Sequence, residues 1–324
     1  MNLYIIGNGF DLAHKLSTSY WAFRTYLESH HLDFLLAFEK MYDIEQLDSS
    51  EYYYTAEAQR RWDNKVYNTL WKEFENFMGS PNIQSMLDFS TSVLDDIDLE
   101  GGNYGIKGTM DEYWKSEFGF INDLQKHIKE WITNTIDLSD VKPKKAVLQN
   151  NTEDIFLNFN YTSVLEEVYN VENVLHIHGG VGKNADYAPV MGHCNKDQIK
   201  KYSQYATEAF ELNDEGEQSI HEAVVDYLTA IYKDTDYYIS MNKWFFNQMN
   251  TVERVIIFGW SAGEVDIPYL NKIRNCVSKN VEWDVYYHDQ QAYDSLQNAF
   301  HVAKIFEDFN APHFMQSEEF WDKQ

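Results

Sequence analysis

Four polar clusters in this chain each follow a short apolar run. Gly7-Asn8-Gly9 and Asp11 come after Leu3–Ile6, and Asn158 and Asn160 after Ile155–Leu157. His178-Gly179 follows Val174–Ile177, and Gly259, Ser261 and Asp266 follow the run that starts at Arg254. Glycines let a backbone approach a phosphate closely, and a helix start offers unpaired N–H groups to a pyrophosphate. A carboxylate such as Asp11 or Asp266 either caps the helix it opens or accepts a hydrogen bond from a ribose hydroxyl or an amide. Ser261 and its glycine neighbours would let the backbone hug a ligand. Taken alone, Asn160 reads as a turn residue and His178 as a satisfied polar residue.

What would bring these clusters together is a parallel sheet. Polar residues just past the carboxyl ends of its strands line the crevice where such sheets bind ligands. Asn160 and His178 would then sit side by side while far apart in sequence. Leu3–Ile6, Ile155–Leu157, Val174–Ile177 and Arg254–Gly259 read as strands buried on both faces, and Val285–His288 as a further one. His301–Phe309 reads as a last strand or a short helix. The first glycine turn lacks a full G-x-G-x-x-G, so by itself it fits a tight strand–helix turn equally well.

Residues from about 17 to 140 read as mostly helical. Val66, Leu70, Trp71, Phe74 and Phe77 mark one helix face, and Trp114, Phe118, Ile121, Leu124, Ile128 and Ile132 another. LEGGNYGIKGT, Leu99–Thr109, reads as a glycine-rich loop between them, and Val141–Lys145 as a basic linker. Residues 196–250 are again helical, with a polar break at LNDEGEQ and a helix over His221–Tyr232. The expected fold is α/β: a Rossmann-like, mainly parallel sheet with a large α-helical insertion after the first strand. Residues 1–16 and 141–324 would form the nucleotide-binding core and 17–140 the helical subdomain. Trp71 and Glu75, four apart, read as a core tryptophan beside a surface glutamate; a sharper alternative has Glu75 reaching into the crevice.

Charge narrows the partners. Lys and Arg number 26 against 52 Asp and Glu, a formal net charge of −26. That opposes non-specific nucleic-acid binding, which needs cations to replace phosphate counterions, and docking on anionic membranes. Cys194 and Cys276 are the only cysteines, too few for a disulfide framework. The start MNLYIIGNGFD lacks a basic n-region and a long apolar segment, and no apolar run is long enough to span a bilayer. The expected location is cytoplasmic. His176, His178, His193 and Cys194 invite a zinc reading, but no C-x-x-C pair supports it. No metal is expected.

Several of these stretches carry a resemblance. FNYTSVLE and HIHG are similar to the Asn-Tyr-Asp and His-Gly segments of sirtuin-like domains, the NAD-consuming fold of deacylases and bacterial antiphage NADases. IIGNGFDLAHKL resembles their first glycine-rich loop and IIFGWSAGEVDIPYL their ribose-side loop. Together with LWKEFE, these motifs most resemble the bacteriophage abortive-infection AbiH family, nearly end to end. Two cysteines cannot make a four-cysteine zinc module, so the likeness is to metal-free NADases. The resemblance implies NAD as substrate or ligand, an NAD glycohydrolase activity, and Asn160 and His178 as catalytic residues. Asn160 would orient water or hold ribose hydroxyls, and His178 would activate a hydroxyl or water. Gly7, Asn8, Gly9, Asp11, Gly259, Ser261 and Asp266 would bind the cofactor. Thr162 departs from the pattern, which has Asp there. A homo-oligomer and a phage protein trigger are implied partners. The alternatives are a nucleotide sensor without turnover and a defence protein acting through protein contacts.

Overall fold

A computed structural model describes residues 1–47, 55–88, 105–182 and 187–322. These divide into two compact units: Met1–Ala22 with Ile128–Val190 and Asp234–Gln324, and Phe23–His127 with Met191–Lys233. The helical unit therefore gathers Met191–Lys233 as well as the segment after the first strand, while residues 128–140 belong with the sheet.

The sheet unit holds one six-stranded sheet in the order β3-β2-β1-β4-β5-β6. Its strands are β1 Asn2–Ile6, β2 Ile155–Asn158, β3 Val174–His176, β4 Arg254–Phe258, β5 Glu282–Tyr287 and β6 His313–Gln316. Every neighbouring pair is parallel. The fold is thus the expected Rossmann-like α/β type. The short runs of Leu, Ile, Val and Phe form strands here because both faces are covered. Leu3, Ile5, Leu157, Val255 and Ile257 face one core, and Tyr4, Ile6, Phe156 and Phe258 the other. Tyr4 stacks on Phe156 with ring centroids 4.8 Å apart.

The register sets up the site. Ile6 pairs with Asn158 on one side and Phe258 on the other, and Asn158 pairs with His176. One row across the sheet therefore ends four strands together. The next residues out are Gly7, Phe159, Ile177 and Gly259.

Other expectations shift in detail. His301–Phe309 is helical, at the end of Gln290–Val302 and in Ile305–Asp308, and the last strand comes after it. Leu99–Tyr104 lies outside the described residues, and Ile106–Thr109 opens a helix rather than closing a loop. The polar break at LNDEGEQ does separate two helices, Lys196–Glu211 and Glu215–Ala230, and its Asp214 caps the second. The Asp214 carboxylate accepts from the Glu217 N–H. Val141–Lys145 is no simple linker: the Lys145 ammonium is buried, donates to the Phe320 carbonyl and lies 4.8 Å from the Phe320 ring centroid.

In the helical unit, helix Ala56–Thr69 ends at Leu70, and Trp71–Glu73 turns before Phe74–Met78. Trp71 and Glu75 thereby meet different buried charges. The Trp71 indole N–H donates to Glu39 Oε1 at 2.8 Å, and Arg24 binds the same carboxylate through Nε at 2.7 Å. Glu75 is not on the surface; its carboxylate pairs with the fully buried Lys233 ammonium. Burial pushes the Glu75 carboxyl above its ordinary range, against the pull of Lys233. Removing one partner of such a pair strands a charge, whereas replacing both is far milder. Lys233→Met is expected to lower stability by about 3–5 kcal/mol in urea unfolding, and adding Glu75→Leu to recover most of it. A double variant as unstable as the single one would refute the pair's role.

Candidate functional site

The first glycine turn is filled by protein rather than left open. The Gly7 N–H donates to the Phe258 carbonyl at 3.0 Å, and the Gly9 N–H to the Gly259 carbonyl at 2.8 Å. A Cβ on Gly7 would lie 2.5 Å from Trp260 Cα, and one on Gly9 2.6 Å from Gly259 Cα. Gly259 itself has φ of 67°, a left-handed conformation that only glycine takes without strain. These glycines therefore let the loops after β1 and β4 touch backbone to backbone. Asn8 closes the same loop, donating to the Thr18 carbonyl and accepting from the Thr18 hydroxyl at 2.6 Å.

Asp11 does not cap its helix; the cap position is Gly7, with no side-chain bond. Its carboxylate is buried and joins two loops. Asn160 Nδ2 donates to Asp11 Oδ1 at 3.1 Å, and the Thr162 hydroxyl to Oδ2 at 2.7 Å. Asn160 Nδ2 also donates to the Gly7 carbonyl at 3.1 Å. Both amide hydrogens of Asn160 are thus engaged inside the protein. Burial raises the Asp11 pKa to about 7, partly offset by Thr162, His176 and Asn160. Thr162 suits such a partner, because a hydroxyl can donate to a carboxylate or accept from a carboxylic acid. An Asp at this position would set two carboxyl groups against each other.

His176 anchors the Asn160 loop from the other side. Its Nδ1 lies 2.9 Å from the Asn160 carbonyl and its Nε2 2.6 Å from Glu166 Oε1. A carbonyl only accepts, so Nδ1 carries a proton. Burial disfavours the imidazolium, but the hydrogen bond and charge of Glu166 outweigh it and raise the His176 pKa. Neither His176 nor Glu166 was selected from the sequence as a site residue. Their signal was local: a glutamate opening the helix after β2, and a histidine closing β3.

His178 goes elsewhere. Strand alternation would put it on the side of His176, but β3 ends at His176 and the chain turns. The His178 ring packs edge-on to Phe159 at 5.2 Å and against Tyr269 at 5.3 Å. Its Nε2 lies 3.9 Å from Asp266 Oδ1. Asp266 makes no helix-capping side-chain bond; its Oδ2 accepts from the Trp260 indole N–H at 2.9 Å. The His178 carbonyl accepts from the Val190 N–H at 2.8 Å, which fixes the turn. Ser261 is exposed, and its carbonyl accepts from the Ser295 hydroxyl at 2.9 Å. Asn160 and His178 therefore lie past the ends of adjacent strands. Their side chains enter two polar clusters, one around Asp11 and one around Asp266.

A parallel sheet in this strand order, with buried polar side chains gathered past the carboxyl ends of β1, β2, β3 and β4, defines a Rossmann-like α/β protein. The chain belongs to the bacteriophage abortive infection AbiH family, whose family model matches residues 3–287. Comparison with curated proteins and with solved structures returns no significant match.

Two consequences can be measured. Asp11 has a folded-state pKa above its ordinary value, so its contribution favours the fold most at low pH and is lost as pH rises through about 7. A tenfold difference in proton affinity between folded and unfolded chains corresponds to ~1.4 kcal/mol. The stability of the wild type relative to Asp11→Asn is expected to fall by a few kcal/mol between about pH 4 and pH 7 and to level off above; a flat difference would contradict the burial argument. Gly259→Ala combines the positive φ with a Cβ 2.6 Å from the Phe10 nitrogen. It is expected to destabilise by more than about 2 kcal/mol in urea unfolding. Gly119→Ala, whose Cβ meets nothing within 4 Å, is expected to stay within about 1 kcal/mol of wild type.

Proposed function

We propose that this protein serves phage abortive infection by binding NAD or a related nucleotide at the carboxyl end of its sheet and hydrolysing NAD to nicotinamide and ADP-ribose. Family membership ties the chain to abortive infection. The observation that carries the nucleotide reading is the strand order, which reverses direction between β1 and β4. Open α/β sheets bind ligands in the crevice at such a switch point, and Gly7, Gly9, Asp11, Gly259 and Asp266 border it. Cleavage of the nicotinamide–ribose bond passes through an oxocarbenium-like state with a neutral leaving group. The site then has to hold the ribose, stabilise developing charge and admit water. In this reading His178, with the Asp266 carboxylate beside it, activates a ribose hydroxyl or water. Asn160 contributes its side-chain oxygen as an acceptor and fixes the loop through Asp11.

The engaged amides favour a second reading. The N–H groups of Gly7 and Gly9 and both Nδ2 hydrogens of Asn160 already have protein acceptors. A loop so occupied suits a nucleotide sensor that binds without turnover. Either role is cytoplasmic in this proposal, and no helix among the described residues is long and apolar enough to cross a membrane. A NAD-destroying effector has to be held off in uninfected cells. A homo-oligomer or a phage protein trigger would provide that control, with no nucleic-acid partner and no metal.

The test is nicotinamide release from NAD by purified protein, beside Asn160→Ala and His178→Ala. Wild-type release, reduced at least about a hundredfold in His178→Ala, is the expected result for a general base. Saturable NAD binding with no release would replace the effector with the sensor. Neither binding nor release would favour a protein that acts by protein contacts.

A further inference from the structure

A groove of about 650 Å³ opens within the sheet unit, beside the Asp11 cluster. Its walls come from the end of the helix Leu124–Thr135, the turn that follows, the loop after β2 and the loop after β3. Ile132, Val168 and Val181 give it an apolar patch within a mainly polar lining. Its polar groups are Thr162, Ser163, Ser139, Asp137 and Glu167, and no Lys, Arg or His is among its described lining residues. The walls are fixed. The Val181 N–H donates to the Tyr161 carbonyl at 3.0 Å, and Gly182 lies so close to Ser163 that a Cβ would meet its Cβ at 2.9 Å.

The two carboxylates are held in place on the rim. Asp137 Oδ1 accepts from the Ser139 N–H at 2.9 Å, and Glu167 Oε1 accepts from the Ser163 hydroxyl at 2.5 Å. While ionised, both groups are acceptors only. The hydrogen bonds from Ser139 hold the Asp137 carboxyl below its ordinary range, so it is charged at neutral pH. A phosphate or carboxylate entering this groove would meet two negative charges and, among the described lining residues, no positive one. A ligand with an apolar body and a positively charged donor end would meet complementary groups on both.

We propose that this groove is a binding site for a small organic cation of the aryl- or alkylammonium class. The proposal goes beyond the nucleotide reading and does not rest on it, since nothing in the groove selects a pyrophosphate. Thr162 belongs to both places: its residue lines the groove, and its hydroxyl donates to Asp11.

The probes are benzylamine, charged at neutral pH, and benzyl alcohol, its neutral counterpart of similar shape. Both are titrated into the full-length protein while the backbone amide resonances of Ser163, Val181 and Gly182 are followed. Benzylamine is expected to shift these resonances and to bind roughly tenfold more tightly than benzyl alcohol. That preference is expected to vanish in the double variant Asp137→Asn with Glu167→Gln. It is expected to persist in Glu112→Gln, which removes an exposed charge outside the groove. Near-UV circular dichroism shows whether the double variant keeps its fold. Equal binding of the two probes would overturn the proposal, as would shifts confined to other residues or an unchanged preference in the folded double variant. The same shifts with inorganic phosphate, or with a basic amphipathic peptide but not benzylamine, would also overturn it, in favour of an anion site or a protein-docking groove. NAD hydrolysis enters none of these readouts, so the two readings fail independently.

Discussion

The carboxylate of Asp11 is the constraint around which the sheet unit closes. It sits beyond β1, and its donors come from the loop beyond β2, more than 140 residues later. A buried carboxyl is tolerated only when its oxygens are hydrogen-bonded. Asn160 and Thr162 are therefore held where Asp11 can reach them. The constraint spreads outward from there. Asn160 also grips the Gly7 carbonyl, and His176 grips the Asn160 carbonyl with Glu166 behind it. One buried acid thus sets the geometry of two loops, past the ends of β1 and β2, and ties them to the last residue of β3.

A second constraint acts from the β4 side and is purely steric. The turn at Gly259 lies against Gly7 and Gly9 with no room for side chains. This brings Trp260 close to the first loop, and the Trp260 indole in turn orients Asp266 beside His178. The Asp11 and Asp266 clusters are therefore linked through backbone contact rather than through a shared side chain. Any ligand entering at the switch point meets a surface whose internal hydrogen bonds are already made. Binding there would use side chains and the outer carbonyls, or would require the loop to open.

The strands that end at the site were legible in the sequence because each is a short apolar run cut off by a polar or glycine residue. β6 was not, since His313–Gln316 forms a sheet edge with only half-buried apolar residues and shows no alternation. The break at Leu70 was hidden by continuous helical spacing on both sides. Glu75 looked like a surface residue because its partner, Lys233, is 158 positions away. The glycines of the first turn were legible as a close approach, but what approaches them was not. Periodicity reports which face of an element is buried. It carries no information on whether a glycine makes room for a ligand or for another stretch of chain. The same limit applies to Asp11, whose burial and donors depend on a loop that local pattern cannot place.

The parallel pairing of β1 has a consequence for how the protein is made. β1 is central, yet its neighbours begin at residues 155 and 254. Contacts of such sequence separation are slow to form, because the loop entropy precedes the reward. At a synthesis rate of about 5–20 residues per second, the β4 partner emerges roughly 12–50 seconds after β1. During that interval the first strand has an unpaired edge. The helical unit, much of it encoded between β1 and β2, can form its own core meanwhile. The donors of Asp11 are all made by residue 176, but Gly259, Trp260 and Asp266 follow much later, so a nascent chain carries both polar clusters only once most of its length has been translated.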